Sequence, residues 1–152
     1  MSEFPPTVIV VHPREKRRKC TVEPLRGRDG FLFRKFPAPL NIVPQDYVRL
    51  GFGGPLLGPD DAAKGLVVLD GTWHLAGVME STYTDLPIRS LPPWKTAYPR
   101  SSKIREDPSA GLATIEAIYA AYAILGRSTT GLLDHYFWAE QFLKLNDGEN
   151  VS

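Results

Sequence analysis

The chain of 152 residues is 43% hydrophobic and 23% charged, which suits one globular domain, or two small lobes sharing a core, and excludes wholesale disorder. No run of about 18 apolar residues occurs, so a membrane-spanning helix is not expected, and residues 1–19 lack the apolar stretch of a signal peptide. Cys20 is the single cysteine, which excludes an internal disulfide and a cysteine-rich zinc site, and a reducing, cytoplasmic location is expected.

Positive charge is concentrated at the start of the chain. Residues 1–50 contain ten Lys and Arg against five Asp and Glu, a net charge of +5, whereas the remaining residues have a net charge of −4. This asymmetry predicts a polyanion partner, with a solvated basic loop as the alternative. The cations in question are Arg14, Lys16, Arg17, Arg18, Lys19, Arg26 and Arg28. The nearby Phe31, Phe33 and Phe36 either stack on bases or pack into the interior, and their alternation favours the interior.

Short apolar runs predict the strands. Thr7–Val11 and residues 65–69 are continuous β-branched and leucine runs, typical of strands in a parallel sheet that is covered on both faces. Residues 41–43 predict a further short strand that Pro44 would stop. Residues 47–58 are rich in glycine and leucine, which indicates a loop with room for a short strand.

Helices are predicted in the rest of the chain. Thr72 can cap a helix over 73–83, and Ser109 one over 109–125 that Gly126 would end. An apolar face predicts a last helix over 130–145. Five prolines between 87 and 108 mark a change of architecture, so we predict an α/β lobe with a parallel sheet at 1–92 and an all-helical lobe at 93–152.

Asp70 is the residue most suggestive of chemistry. It follows a buried strand and precedes Gly71, and the carboxyl ends of parallel strands are where α/β proteins bind ligands. The alternative is an ordinary turn residue, since Asp before Gly is common. Trp73, one turn further on, is either a pocket wall or a packing residue.

Other signatures of chemistry are missing from the sequence. The histidines His12, His74 and His135 stand far apart without metal-ligand spacing, so no metal is expected. Cys20 is interpreted as a small buried residue. No glycine-rich phosphate loop of the P-loop or dinucleotide type occurs.

Six segments, in order along the chain, resemble the aminocarboxypropyltransferase family of ribosome biogenesis, which modifies a pseudouridine of small-subunit rRNA with S-adenosylmethionine. They are RKCT at 18–21, LLGPDD at 56–61, GLVVLDGTW at 65–73, RSLP at 89–92, LATIEA at 112–117 and FWAEQFLKLN at 137–146. Two features depart from the family pattern. The loop at 97–103 lacks the two asparagines that the family has there, and DGTW at 70–73 also fits the related DTW-domain family, which modifies a uridine of tRNA.

The resemblance implies a fold and a donor site. The fold would be SPOUT-like, with a deep trefoil knot and S-adenosylmethionine between the two lobes. Trp73 and Ala76 would crowd the sulfonium methyl so that the aminocarboxypropyl arm is exposed, and Thr21 would bind the carboxylate of that arm. The remaining positions that match the family's donor pocket are Ile42, Val43, Asp70, Leu91, Leu112, Thr114 and Ile115.

The resemblance also implies a reaction, namely transfer of the 3-amino-3-carboxypropyl group to a ring nitrogen of a uridine or pseudouridine in small-subunit rRNA. Asp70 would position that nitrogen or take its proton, and the basic residues would hold RNA phosphates. Glu116 is either favoured by the helix dipole or a simple capping residue. The expected partner is rRNA or the pre-ribosomal small subunit, and we expect a monomer. The alternatives are transfer to tRNA, methyl transfer, and a non-catalytic RNA-binding assembly factor.

Overall fold

A five-stranded, wholly parallel sheet forms the centre of the molecule. The computed structural model describes residues 4–13, 21–51, 53–70, 82–97 and 112–146. The strands are β1 (Thr7–Val11), β2 (Phe31–Lys35), β3 (Tyr47–Leu50), β4 (Gly65–Asp70) and β5 (Ile88–Arg89), in the order β2-β1-β4-β3-β5. The central pair β1 and β4 are the two runs that the sequence predicted as buried strands, and both that assignment and the parallel sheet are confirmed.

Both faces of the sheet are covered, as continuous apolar strands require. On the first face, Ile9, Leu66 and Val68 pack in one core with residues of α1 (Thr114–Leu125) and α2 (Ala139–Leu145). On the second face, strand residues with the opposite orientation pack against Leu40, Tyr83 and Leu86. Phe31 belongs to the first core and Phe33 packs against it, so the interior role predicted for these rings is confirmed.

The strand predicted over 41–43 is wrong. Asn41 has a left-handed φ of 59°, which cannot continue an extended ladder, and Pro44 begins the 3-10 turn Pro44–Asp46. The third strand instead covers Tyr47–Leu50, within the segment that we predicted as mainly loop. Its four residues are all buried, and Gly65 of β4 lies so close to the Tyr47 ring that a Cβ there would overlap the ring.

The two described helices are shorter than predicted. α1 begins at Thr114 with Ala113 as its N-cap, so Ser109, which lies outside the described residues, is not its cap. Gly126 ends the helix with φ 76°, as predicted. Of the predicted span 130–145, only Ala139–Leu145 is helical. Gly131 has a left-handed φ of 79° and cannot belong to the helix, and most of residues 130–138 are in turns. The predicted helix over 73–83 also falls mostly outside the described residues. Within the described ranges, no helix has the length and apolar character needed to cross a membrane.

Candidate active site

Asp70 lies where the central strand meets the start of α1. It is the last residue of β4, is paired with Val11 of β1, and is only 3% exposed. The Thr114 hydroxyl, in the first turn of α1, donates a hydrogen bond of 2.6 Å to Asp70 Oδ1. The sequence predicted both residues as part of one site, and the structure brings them into direct contact.

Thr21 holds the next residue of the same helical turn. Its Oγ1 accepts a hydrogen bond of 3.0 Å from the main-chain nitrogen of Ile115. That N–H is one of the donors that a helix start leaves without an intrahelical partner. A hydroxyl that accepts one bond retains its own proton for donation, so Thr21 is able to donate to a carboxylate beside the positive end of the helix dipole.

Glu116 is a buried carboxylate, fully enclosed at 0% exposure. Its Oε1 accepts from the Ala113 nitrogen at 2.8 Å, which confirms the capping role that the sequence left open. It also accepts from the Thr96 hydroxyl at 2.5 Å, the Ala97 nitrogen at 2.9 Å and the Tyr136 hydroxyl at 2.8 Å. No sequence pattern indicated these three partners, because they come from segments about 20 residues away on either side.

The apolar residues predicted for the donor pocket fall into two groups. Leu91 and Leu112 are partly buried and pack, with the buried Ile115, on the core that faces α1, which is the face that carries the Asp70 side chain. Ile42 packs instead against the second core and lines a cavity of about 390 Å³ between 37–44 and 82–86. The neighbouring Val43 is 56% exposed. The structure therefore does not bring Ile42 and Val43 to Asp70, and their role in the pocket stays a prediction.

Two of the matched segments meet beside β5. Arg89 Nε lies 3.2 Å from Asp61 Oδ2, and Asp61 is 6% exposed. The Ser90 hydroxyl donates to the Gly54 carbonyl at 2.8 Å, and a Cβ on Gly54 would overlap the main chain of Ile88. These contacts tie the loop that follows β3 to the segment that contains Leu91. Both segments contain motifs of the family, but no feature of the sequence predicts that they meet.

Of the residues predicted to bind RNA, the structure describes Arg26 and Arg28, and both already have protein partners. Arg26 makes a bidentate ion pair with Glu23, Nε to Oε1 at 2.9 Å, and its guanidinium stacks 4.3 Å from the centre of the Phe33 ring. Arg28 donates to the carbonyls of Thr130 and Gly131 at 2.8 and 3.1 Å. Both residues are exposed, so their charge still faces solvent, and RNA contact by either stays a prediction.

Several predicted site residues lie outside the described residues, namely Arg14, Lys16, Arg17, Arg18, Lys19, Trp73 and Ala76, and so do Cys20 and His74, which were not predicted to belong to the site. Of the other two histidines, His12 follows β1 and stacks on Phe36 with the ring centres 5.3 Å apart, and His135 is exposed. In the part of the chain that the structure describes, no group of three His, Cys, Asp or Glu side chains is arranged to hold a metal ion.

Comparison with known proteins identifies the fold. No protein-family model matches the chain, and no curated protein matches it in sequence. Among solved structures, it is similar to the SAM-dependent rRNA:acp-transferase Tsr3 from Vulcanisaeta distributa, with a TM-score of 0.72. The similarity covers 95% of this chain and 80% of that chain at 22% sequence identity, which establishes that the two chains have the same fold.

Proposed function

We propose that this chain transfers the 3-amino-3-carboxypropyl group of S-adenosylmethionine to a base of ribosomal RNA. The observation that carries the proposal is the fold similarity over 95% of the chain to a SAM-dependent rRNA acp-transferase. Fold similarity alone does not imply activity. The second support is therefore the site itself, where residues of the matched segments 65–73 and 112–117 meet through the Asp70–Thr114 hydrogen bond.

The described residues suit an amino-acid sulfonium donor. Thr21 and the start of α1 offer a hydroxyl proton and a positive helix end to the carboxylate of the aminocarboxypropyl arm. Asp70 offers a buried negative charge to a cationic or hydroxyl group. Leu91 and Leu112 offer partly exposed apolar surface to the adenine ring. Trp73 and Ala76 retain their proposed role of crowding the methyl group.

The reaction proposed is a single displacement. S-Adenosylmethionine supplies a methylene carbon that the neighbouring positive sulfur makes electrophilic. A ring nitrogen of uridine or pseudouridine forms a bond to that carbon while the carbon–sulfur bond breaks and its electron pair goes to sulfur, which releases 5′-methylthioadenosine. Asp70 positions the nitrogen or takes its proton, because a protonated ring nitrogen is a poor nucleophile.

The finer assignments are part of the same proposal. The target is a nucleotide of small-subunit rRNA, presented as RNA or as the pre-ribosomal small subunit in the cytoplasm, and Arg14 to Lys19 bind its phosphates with Arg26 and Arg28. The chain acts as a monomer, with a sheet lobe at 1–92, an all-helical lobe at 93–152 and a deep trefoil knot. DGTW at 70–73 supports a second candidate, the same transfer to a tRNA uridine.

A two-label experiment tests the function. The protein is incubated with small-subunit rRNA or tRNA and with S-adenosylmethionine labelled either in the carboxyl group or in the methyl group. We expect the carboxyl label alone to enter the rRNA, with one 5′-methylthioadenosine released per label. Labelling of tRNA alone would favour the second candidate, and entry of the methyl label alone would refute aminocarboxypropyl transfer. RNA binding without either label would identify a non-catalytic assembly factor.

A further inference from the structure

Residues 94–97 precede α1 in the chain and have no regular secondary structure. Their hydrogen bonds join them to Glu116 in α1 and to Asn146 at the end of α2, and we call this segment the connector. The buried side chains of Asn146 and Glu116 form hydrogen bonds to its main chain, as a neighbouring strand would do. The Lys95 nitrogen donates to Asn146 Oδ1 at 2.7 Å, and Asn146 Nδ2 donates back to the Lys95 carbonyl at 2.8 Å. Glu116 accepts hydrogen bonds from the next two residues of the connector, namely from the Thr96 hydroxyl and the Ala97 nitrogen.

Both side chains are deeply buried, Asn146 at 1% and Glu116 at 0% exposure. Burying an amide or a carboxylate costs free energy unless its hydrogen bonds are replaced. Here they are replaced, because Asn146 Nδ2 also donates to the Phe142 carbonyl at 2.8 Å and Glu116 accepts four bonds in all. Trp94 anchors the connector further, packing between Tyr119 and Phe142 with ring centres about 6 Å apart.

The connector is continuous with one wall of the candidate site and is bonded to another. Leu91 lies three residues before Trp94, on the core that faces α1. Glu116 joins the connector to the Ala113 nitrogen, at the start of the turn from which Thr114 contacts Asp70 and Ile115 contacts Thr21. The Glu116 carboxylate therefore joins the segment that continues from Leu91 to the helical turn that carries the polar residues of the site.

From this geometry we propose that Glu116 and Asn146 are positioning residues of the transfer reaction. The side-chain hydrogen bonds of Glu116 and Asn146 go to residues that are not predicted to bind S-adenosylmethionine. Through these bonds they hold the apolar and polar walls of the donor site in register. This inference rests on the proposed function, because it assigns the two residues to the site that the transfer would use. A small displacement of one wall would weaken the binding of S-adenosylmethionine and misalign its reacting carbon.

The isosteric substitution Glu116→Gln breaks the arrangement with little change of volume. Each carboxylate oxygen accepts from one main-chain N–H, Ala113 on Oε1 and Ala97 on Oε2. A glutamine amide has one oxygen and one NH2 group, so in either orientation its NH2 faces a main-chain N–H that cannot accept. Asn146→Asp is the matching change for the other residue, since it turns an N–H donor toward the Lys95 carbonyl into an oxygen.

The test compares both variants with wild type and with Glu140→Gln, an exposed control on α2. Binding of S-adenosylmethionine is measured by calorimetry, and thermal unfolding is followed in parallel. We expect the Kd of both variants to rise about tenfold, while Glu140→Gln stays at wild-type affinity. In the two-label assay, we expect at least about threefold more 5′-methylthioadenosine per RNA label than in wild type. With a misaligned ring nitrogen, water competes for the methylene carbon and forms homoserine as the carbon–sulfur bond breaks and its electron pair goes to sulfur.

Both quantities are measured well below the Tm of each variant, where the protein is fully folded and the apparent Kd equals the intrinsic one, so they separate positioning from stability. Wild-type values of both in a folded Glu116→Gln protein, with only a lowered Tm, would overturn the inference. Should that variant fail to fold, Asn146→Asp decides alone, because it still breaks a main-chain bond of the connector, and an unchanged Kd in it would also overturn the inference. A wild-type protein that binds S-adenosylmethionine but labels no RNA would refute the proposed function, and the Kd comparison would still decide this inference.

Discussion

The two ends of α1 bury opposite charges in different ways. At its start, the Glu116 and Asp70 carboxylates accept hydrogen bonds from hydroxyl groups, and Glu116 also accepts from main-chain nitrogens. Just past its end, Arg127 is 7% exposed, and its guanidinium lies 3.7 Å from the centre of the Phe4 ring. Its Nη2 donates to the carbonyls of Ala62 and Lys64, whereas Nε and Nη1 have no hydrogen-bond partner among the described residues.

This difference suggests that the start of α1 serves the candidate site and that its end serves the stability of the fold. The signs of charge at both ends agree with the helix dipole, which favours anions at the start and cations at the end. The polar groups at the start are arranged beside the edge of the sheet where α/β proteins bind ligands. Those at the far end lie at the opposite edge, where Tyr122 bonds to Thr7 at the start of β1 with an oxygen–oxygen distance of 2.6 Å. We expect substitutions at the first end to impair chemistry and those at the second to impair stability.

The largest effect is expected for Asp70→Asn. Asparagine keeps an oxygen that can accept from Thr114, so the fold should survive, but the negative charge is lost. Transfer to RNA should fall about 10²- to 10⁴-fold if Asp70 takes the proton of the ring nitrogen. Single-turnover labelling measures this directly, with circular dichroism as the check on folding. A drop of less than about tenfold would restrict Asp70 to positioning.

Arg127→Met is the contrasting change at the far end of α1. It removes two charge-assisted hydrogen bonds and the stacking on Phe4, and we expect a loss of roughly 2 kcal/mol of stability. The rate of transfer per folded molecule should equal that of wild type. Urea unfolding gives the stability, and the same labelling assay gives the rate. Loss of transfer in a stable variant would show that the two ends are not functionally distinct.

Thr114→Val sharpens the contrast at the first end with a smaller change. Valine has the shape of threonine but cannot donate to Asp70 Oδ1, so the carboxylate loses a partner of 2.6 Å. We expect transfer to fall about tenfold, the equivalent of one lost hydrogen bond of roughly 1.4 kcal/mol. The turnover number and the KM for S-adenosylmethionine should be measured separately. Only if the turnover number and the KM are both unchanged does this bond serve folding alone.

The smallest effect concerns alkaline pH and Tyr122. Burial raises the pKa of the Tyr122 hydroxyl above its usual value of 10.0. The folded state then holds this proton more tightly than the unfolded state, so stability is constant below about pH 10 and falls as the pH rises above it. Tyr122→Phe should lose about 1 kcal/mol at pH 8 with the bond to Thr7 but decline less steeply above pH 10. Urea midpoints at pH 8 and pH 10.5 provide the measurement, and equal declines would contradict the assigned burial.

Sequence patterns predicted the parts whose signal is local. Continuous apolar runs identified β1 and β4, and the position of Asp70 after the second run identified the edge where the candidate site lies. Gly126 marked the end of α1 because a left-handed terminus favours glycine. The strand assigned to 41–43 failed because short β-branched runs do not report the left-handed φ of Asn41. The helix predicted over 130–145 began too early, because its apolar pattern reports neither the left-handed φ of Gly131 nor the turns that follow it.

By itself, the sequence determined which strands are buried, that they are parallel, and which carboxylate stands at the end of the central strand. The family resemblance placed Thr21, Thr114 and Asp70 in one pocket, but only the tertiary structure decided the hydrogen bonds through which they meet at one helical turn. It alone decided that Glu116 joins that turn to the connector. It also decided that Ile42 lies on the other face of the sheet. The physical reason is that hydrophobic periodicity is a property of neighbouring residues. The partners of a buried polar group come from segments 20 to 94 residues apart and are fixed only when the layers pack.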